Sequence, residues 1–238
     1  MCQQSKSFVL VHGAFYGGWV WQKVAKRLLA KGARVSSPTL TGVGERAHLR
    51  SAAVDLSTHV QDLVAHLEME DVRDATLVGW SYGGMVVNDS LNRIAARIKS
   101  VIYLDAFVPE KGRSVYDHNT AEARARMDRN RLDDRALVPY PLDFFDITDE
   151  HDRAWMTERQ TPQPWRTMFE PAKIAPTDFP GVQSYVRCTH FLSRPFDDAQ
   201  KRTSKRGYRQ AKLNAGHLCM VTAPEITADC LLSLSAAV

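Results

Sequence analysis

Ala75-Thr76-Leu77-Val78-Gly79-Trp80-Ser81-Tyr82-Gly83-Gly84 is the stretch that decides what kind of chain this is. The apolar, β-branched run over 75–79 predicts a buried strand, and Tyr82 to Ile94 has the spacing of a helix. Between them Gly79 to Gly83 fits G-x-S-x-G. Alone that pattern is weak. A strand before it and a helix behind it make a sharp turn that lifts the serine hydroxyl clear of the sheet. The glycines let the two backbones approach closely enough for that turn. A glycine-rich turn whose serine only caps a helix is the bland alternative, and the flanking elements favour a nucleophile.

Outward from this turn the chain alternates strands and helices. Phe8 to His12 reads as a strand covered on both faces, Trp19 to Ala30 as a helix ended by Gly32, and Ala33 to Ser37 as a strand stopped by Pro38. Leu56, Val60, Leu63, Val64 and Leu67 recur at helical spacing, with Ser57 as the expected cap. Val101 to Asp105 is the fourth strand. Residues 107–183 are rich in charge and proline, with helical stretches near 119–133, 151–159 and 164–169. Strands return at Ser184 to Thr189 and Tyr208 to Leu213, before a last helix from Pro224 to Ser235. The pattern implies an α/β fold: a doubly wound, mostly parallel sheet of about six strands, with a helical cap inserted after the fourth. The expected core is 1–106 with 184–238, and the cap is 107–183.

Composition narrows the function. With 44% apolar and 24% charged residues over 238 positions, the chain is neither disordered nor fibrous. A net charge of +4 is too small and too scattered to argue for nucleic acid. Cys2, Cys188, Cys219 and Cys230 are far apart, so neither a disulfide framework nor a zinc site is expected. No apolar run reaches membrane-helix length, and Met1 to Ser7 lacks the pattern of a signal peptide. The expected compartment is the cytoplasm, without membrane association, and the sequence leaves monomer and homodimer open.

The loop after the first strand, His12-Gly13-Ala14-Phe15-Tyr16-Gly17-Gly18, suits an oxyanion hole. One donor is expected to be the N–H of Tyr82, just after the nucleophile, and the other the N–H of Ala14. No Lys-Ser or Lys-Thr pair follows these glycines, so a phosphate-binding loop is excluded. Gly42 to Ala47 fits G-x-G-x-x-A but lacks the strand and helix that a dinucleotide site needs. His59 and His66 lie on one helix and read as polar-face residues. His217, in Ala215-Gly216-His217-Leu218, follows the last strand and is the expected general base.

His12-Gly13-Ala14, Gly17-Gly18-Trp19, Gly79 to Gly84 and Gly216-His217 together resemble the α/β-hydrolase superfamily. They are similar to its branch of plant methylesterases and hydroxynitrile lyases. Bacterial carboxylesterases, including pyrethroid-hydrolysing ones, look nearer still, through Pro38 to Arg46 and Leu104-Asp105-Ala106-Phe107-Val108-Pro109. The resemblance implies a Ser-His-Asp carboxylesterase without cofactor or metal, acting on a small-molecule ester. The aromatics of the insertion, among them Phe107, Tyr140, Phe144 and Phe145, suggest a hydrophobic or aromatic ester of small to medium size. Lyase relatives carry a lysine after the catalytic histidine and a threonine in the first loop; here Leu218 and Gly13 stand there. Hydrolysis of an amide or a carbon–carbon bond, and a receptor-like role, remain as alternatives.

One position departs from the family. The usual acid follows the penultimate strand as Cys-x-x-Asp, but in Cys188-Thr189-His190-Phe191 a phenylalanine takes its place. Asp105, at the end of the fourth strand, is the expected substitute, as in haloalkane dehalogenases. Asp197 and Asp198 are the alternative, and read more simply as charges at a helix start.

Overall fold

The strand that leads into Ser81 is completely buried and lies inside a parallel sheet. The structure is a computed structural model and describes residues 5–132, 136–174 and 179–236. In chain order the first half runs β1 (Ser7–Val11), α1 (Gln22–Ala30), β2 (Arg34–Ser36), α2 (Leu56–Met69), β3 (Ala75–Trp80), α3 (Gly83–Ile94) and β4 (Ile98–Leu104). Between β4 and the next long strand come α4 (Val115–His118), α5 (Ala121–Arg129), β5 (Arg131–Leu132), β6 (Ala136–Leu137), α6 (Glu150–Thr157), β7 (Gln163–Pro164) and α7 (Arg166–Phe169). The chain then closes with β8 (Val182–Cys188), α8 (Arg194–Lys205), β9 (Arg209–Leu213), α9 (Cys219–Thr222) and α10 (Pro224–Ala236).

Among the described residues the main sheet has six strands in the order β2-β1-β3-β4-β8-β9, all parallel. The chain winds outward from β1 to β2, then crosses back to β3 and proceeds the other way. Order therefore reverses between β1 and β3, and ligands of open α/β sheets bind beyond the strand ends at such a point. The loops after β1, β3, β4 and β9 all open on that edge.

Local chemistry explains the elements. Helix α2 is capped by Asp55, whose carboxylate accepts from the Thr58 N–H at 2.9 Å, and not by Ser57. Ser57 instead donates its hydroxyl to Glu170 at 2.6 Å. The sequence implies a helical segment after β4. That segment also forms a small antiparallel sheet, β5-β6-β7, whose two-residue strands are too short to leave an alternating pattern in sequence.

Helix α3 can follow β3 so abruptly because nothing but backbone separates the packed segments. A Cβ on Gly83 would stand 2.7 Å from the His12 carbonyl oxygen, and one on Gly84 would overlap that of Phe107. Neither oxygen belongs to a flexible side chain, so the clash cannot relax cheaply. Gly84→Ala is expected to lower stability by ~1–3 kcal/mol, the usual range for overpacking. A urea midpoint indistinguishable from that of the unaltered protein would show that the helix does not press on this loop.

Candidate active site

Ser81 stands at φ +54°, in the left-handed region that few side chains tolerate. The turn is held by its own backbone: the Ser81 carbonyl accepts from Gly84 N–H at 3.2 Å and from Phe107 N–H at 3.1 Å. Behind it, the Tyr82 hydroxyl is buried against α2 and donates to His59 Nδ1 at 2.9 Å. His59 Nε2 in turn donates to the Thr41 carbonyl at 2.8 Å. His59 is thus a buried brace and not the polar-face residue its helical spacing suggested. His66 is half-buried, with Nε2 2.9 Å from the Ser36 hydroxyl.

Asp105 is fully buried just past β4, also with positive φ (+43°). Its Oδ2 accepts from His217 Nδ1 at 2.7 Å. Its Oδ1 accepts from Arg187 Nη1 at 2.6 Å and from the Cys188 N–H at 3.1 Å. Asp197 does not reach His217 in this arrangement; it accepts from Arg187 Nε at 2.9 Å and is half exposed. Asp198 lies 3.8 Å from both Arg194 and Lys201 on the surface of α8. Of these carboxylates, Asp105 is the one paired with the imidazole. Arg187 escaped sequence reasoning, although a cation between Val186 and Cys188 in an apolar strand is itself a signal. Such a charge needs a partner.

The His217 loop is anchored at both its backbone and its ring. Trp80 Nε1, on the residue before Ser81, donates to the His217 carbonyl at 2.9 Å. The imidazole lies between aromatic rings, with Phe191, Trp80 and Phe196 at centroid distances of 4.7, 5.1 and 5.2 Å. Phe191, standing where the family places its acid, packs flat on the histidine.

Ser81, His217, Ala14 and Tyr82 line one cavity of about 250 Å³. His12 orients the loop that carries Ala14. Its Nε2 accepts from the Leu40 N–H at 3.0 Å, so the ring proton sits on Nδ1 and is donated to the Gly13 carbonyl at 2.7 Å. A trans peptide directs its C=O and N–H to opposite sides. The Ala14 N–H, on that same peptide, therefore points away from His12. The next N–H, of Phe15, is taken by Gln163 Oε1 at 2.9 Å. Gln163 belongs to the segment after β4, and nothing in its sequence pointed to this contact. The N–H of Tyr82 lies at the start of α3, where the first donors have no intrahelical partner. By contrast the Gly44 N–H, in the decoy glycine motif, is occupied by Thr161 Oγ1 at 2.8 Å.

The architecture agrees with the comparisons. The model of the alpha/beta hydrolase family matches residues 8–230. The chain belongs to that family. This α/β-hydrolase is 35% identical to a carbendazim hydrolyzing esterase of Nocardioides sp. strain SG-4G, over 96% of its own length and 99% of the relative's. Methylesterase 10 of Arabidopsis thaliana is 32% identical, but over only 45% of this chain and 39% of that one. Among solved structures, an extracellular alpha/beta-hydrolase from a Paenibacillus species superposes with a TM-score of 0.85. That match covers 96% of this chain and 98% of the other at 23% identity, a likeness of fold. No helix among the described residues is long and apolar enough to cross a membrane.

Burial keeps two of the site's supporting histidines neutral. It lowers the pKa of His12 to about 3 and that of His59 to about 4. In both, the loss of water around the ring outweighs the hydrogen bonds it makes. The unfolded chain protonates these rings near pH 6.5, so between pH 6.5 and about 4 unfolding takes up protons that the folded protein refuses. Stability is therefore fully present above about pH 6.5 and falls as the pH drops, by up to ~1.4 kcal/mol per pH unit for each ring. The urea midpoint is expected to be clearly lower at about pH 5 than at about pH 7. A midpoint that stays flat over that interval would mean that the rings bind protons in the native state.

Proposed function

We propose that this α/β-hydrolase is a serine carboxylesterase acting on small to medium hydrophobic or aromatic esters. The observation that carries the reading is the 2.7 Å hydrogen bond from His217 Nδ1 to buried Asp105, with His217 and Ser81 on the wall of one cavity. Asp105 occupies Nδ1 and thereby leaves Nε2 as the basic nitrogen. The near full-length esterase relative supports the same chemistry.

The steps follow from these groups. Ser81 Oγ attacks the ester carbonyl carbon while His217 Nε2 takes the hydroxyl proton, and Asp105 stabilises the imidazolium that forms. The carbonyl oxygen becomes an oxyanion facing the N–H groups of Ala14 and Tyr82. Each such donor is worth ~2.7–4 kcal/mol in related sites. As the carbon–oxygen bond breaks, His217 returns its proton to the departing alcohol and an acyl-serine remains. Water, deprotonated by the same nitrogen, then releases the acid and regenerates Ser81. Every proton and bond is handled by side chains and water, and no step calls for a metal or cofactor.

Residues 107–183 act in this reading as the cap over the acyl pocket. They supply Phe107, Tyr140, Phe144, Phe145 and Met168 to a mainly apolar wall, which suits a compact aromatic ester and excludes a polymer.

Ser81→Ala is expected to abolish hydrolysis of a short aryl ester while leaving the circular-dichroism spectrum unchanged. Activity close to that of the unaltered protein would refute the nucleophile. Asp105→Asn should reduce turnover by ~10⁴, the cost of the wrong imidazole tautomer in serine-protease triads. Asp197→Asn should reduce it only a few-fold, since its half-exposed carboxylate reaches the site through Arg187 alone. The reverse ranking in steady-state kinetics would assign the acid to the loop after β8.

A further inference from the structure

The cavity holding Ser81 and His217 has a feature that ester cleavage does not use. Among the described residues no Asp or Glu lines it, yet two arginines do, Arg126 from α5 and Arg194 from α8. Arg194 is a rim cation, with 81% of its side chain exposed and Asp198 at 3.8 Å. Arg126 is different. It is half-buried, and its guanidinium carbon lies 4.8 Å from the ring centroid of Phe144 and 5.6 Å from that of Tyr140, both cavity walls.

A guanidinium carries five N–H donors, and among the described residues no side-chain or backbone acceptor takes a hydrogen bond from that of Arg126. Among the described residues no carboxylate pairs with Arg126. The nearby Asp143, beside Phe144 in sequence, is taken by Arg153 at 2.6 Å. Phe144 touches Phe191 at 5.9 Å, and Phe191 lies on His217 at 4.7 Å, so Arg126 stands at the far end of an aromatic wall that begins at the imidazole. A cation set over two rings, with N–H donors that no described side chain occupies, at the edge of a cavity that no described Asp or Glu lines, is arranged to meet an oxyanion.

We propose that Arg126 forms an anion subsite, and that the preferred substrates are aromatic esters bearing a second, ionised carboxyl group remote from the scissile bond. This rests on the esterase reading of the site. The aromatic body of such a substrate packs on the cap rings, and its far carboxylate accepts from the Arg126 fork. The same feature selects against esters with a cationic tail.

The test uses methyl benzoates carrying a para carboxylate directly, through an ethylene spacer, or through a second phenyl ring, each beside its neutral carboxamide counterpart. For at least one spacing, kcat/KM is expected to be tenfold or more higher for the carboxylate, with the difference mainly in KM. In Arg126→Met the carboxylate-to-carboxamide ratio should fall to about one, and in Arg126→Lys it should stay between the two. Because each ratio is taken within one enzyme preparation, partial misfolding does not alter it. Calorimetric binding of the corresponding free dicarboxylates to the unaltered protein and to Arg126→Met gives a readout independent of turnover. Turnover of all the esters without carboxylate preference, or a preference that survives in Arg126→Met, overturns the subsite and keeps the esterase. No turnover of any ester, with dicarboxylate binding lost only in Arg126→Met, overturns the esterase and keeps the subsite. Neither turnover nor binding overturns both.

Discussion

Asp105 places a carboxylate where no water reaches it, and a bare charge in such a position costs several kcal/mol even after relaxation. The protein holds it there by engaging both oxygens, one with His217 and the other with Arg187 and the Cys188 N–H. Arg187 is itself buried and divides its guanidinium between Asp105, Asp197 and the carbonyls of Cys188 and Phe191. The chain of charges therefore runs negative, positive, negative from the interior to the surface. It ties the end of β4 to β8, to the loop after β9 and to the first turn of α8. A shift of any one of these elements would strand a buried ion, so this network and the strand register depend on each other. Leu104 pairs with Val186 and Cys188 with Leu213, which brings the three carboxyl ends to a common edge.

The opposite side of the cavity rests on neutral groups. His12 is kept uncharged by burial and fixes the Gly13 peptide, while Gln163 of β7 takes the Phe15 N–H. Trp80 links the two halves, since its indole N–H holds the His217 loop while its backbone leads into Ser81. In the proposed esterase these contacts let donors and base keep their positions while charge develops between them. The aromatic rings around His217 exclude water there, and electrostatic interactions are stronger in such surroundings than in solvent.

The segment after β4 belongs to this site through specific contacts. The Thr161 N–H donates to the Phe15 carbonyl at 3.1 Å, and Gln160 Nε2 donates to the Tyr16 hydroxyl at 2.8 Å. The loop after β1 is thus shaped partly by residues that follow it by nearly 150 positions. The same segment provides the rings over which the Arg126 guanidinium lies, so one stretch of chain both steadies the first loop and carries the proposed anion subsite.

By itself the sequence determined the features that short-range physics controls. Apolar runs of strand length, the glycines around Ser81 and the loop position of His217 are local, and they sufficed for the parallel sheet and the sharp turn at Ser81. Local signals misled where two neighbouring residues could serve, as with Ser57 and Asp55 at the start of α2. They failed for His59, whose burial depends on packing against Tyr82 and Thr41. Only the tertiary structure decided which carboxylate meets His217. Asp105 and His217 are 112 positions apart, and Asp105 and Arg187 are 82 apart. No periodicity spans such distances. The choice between Asp105 and Asp197 follows from strand order and from the cost of leaving a buried charge unpaired, and both exist only once the sheet has assembled.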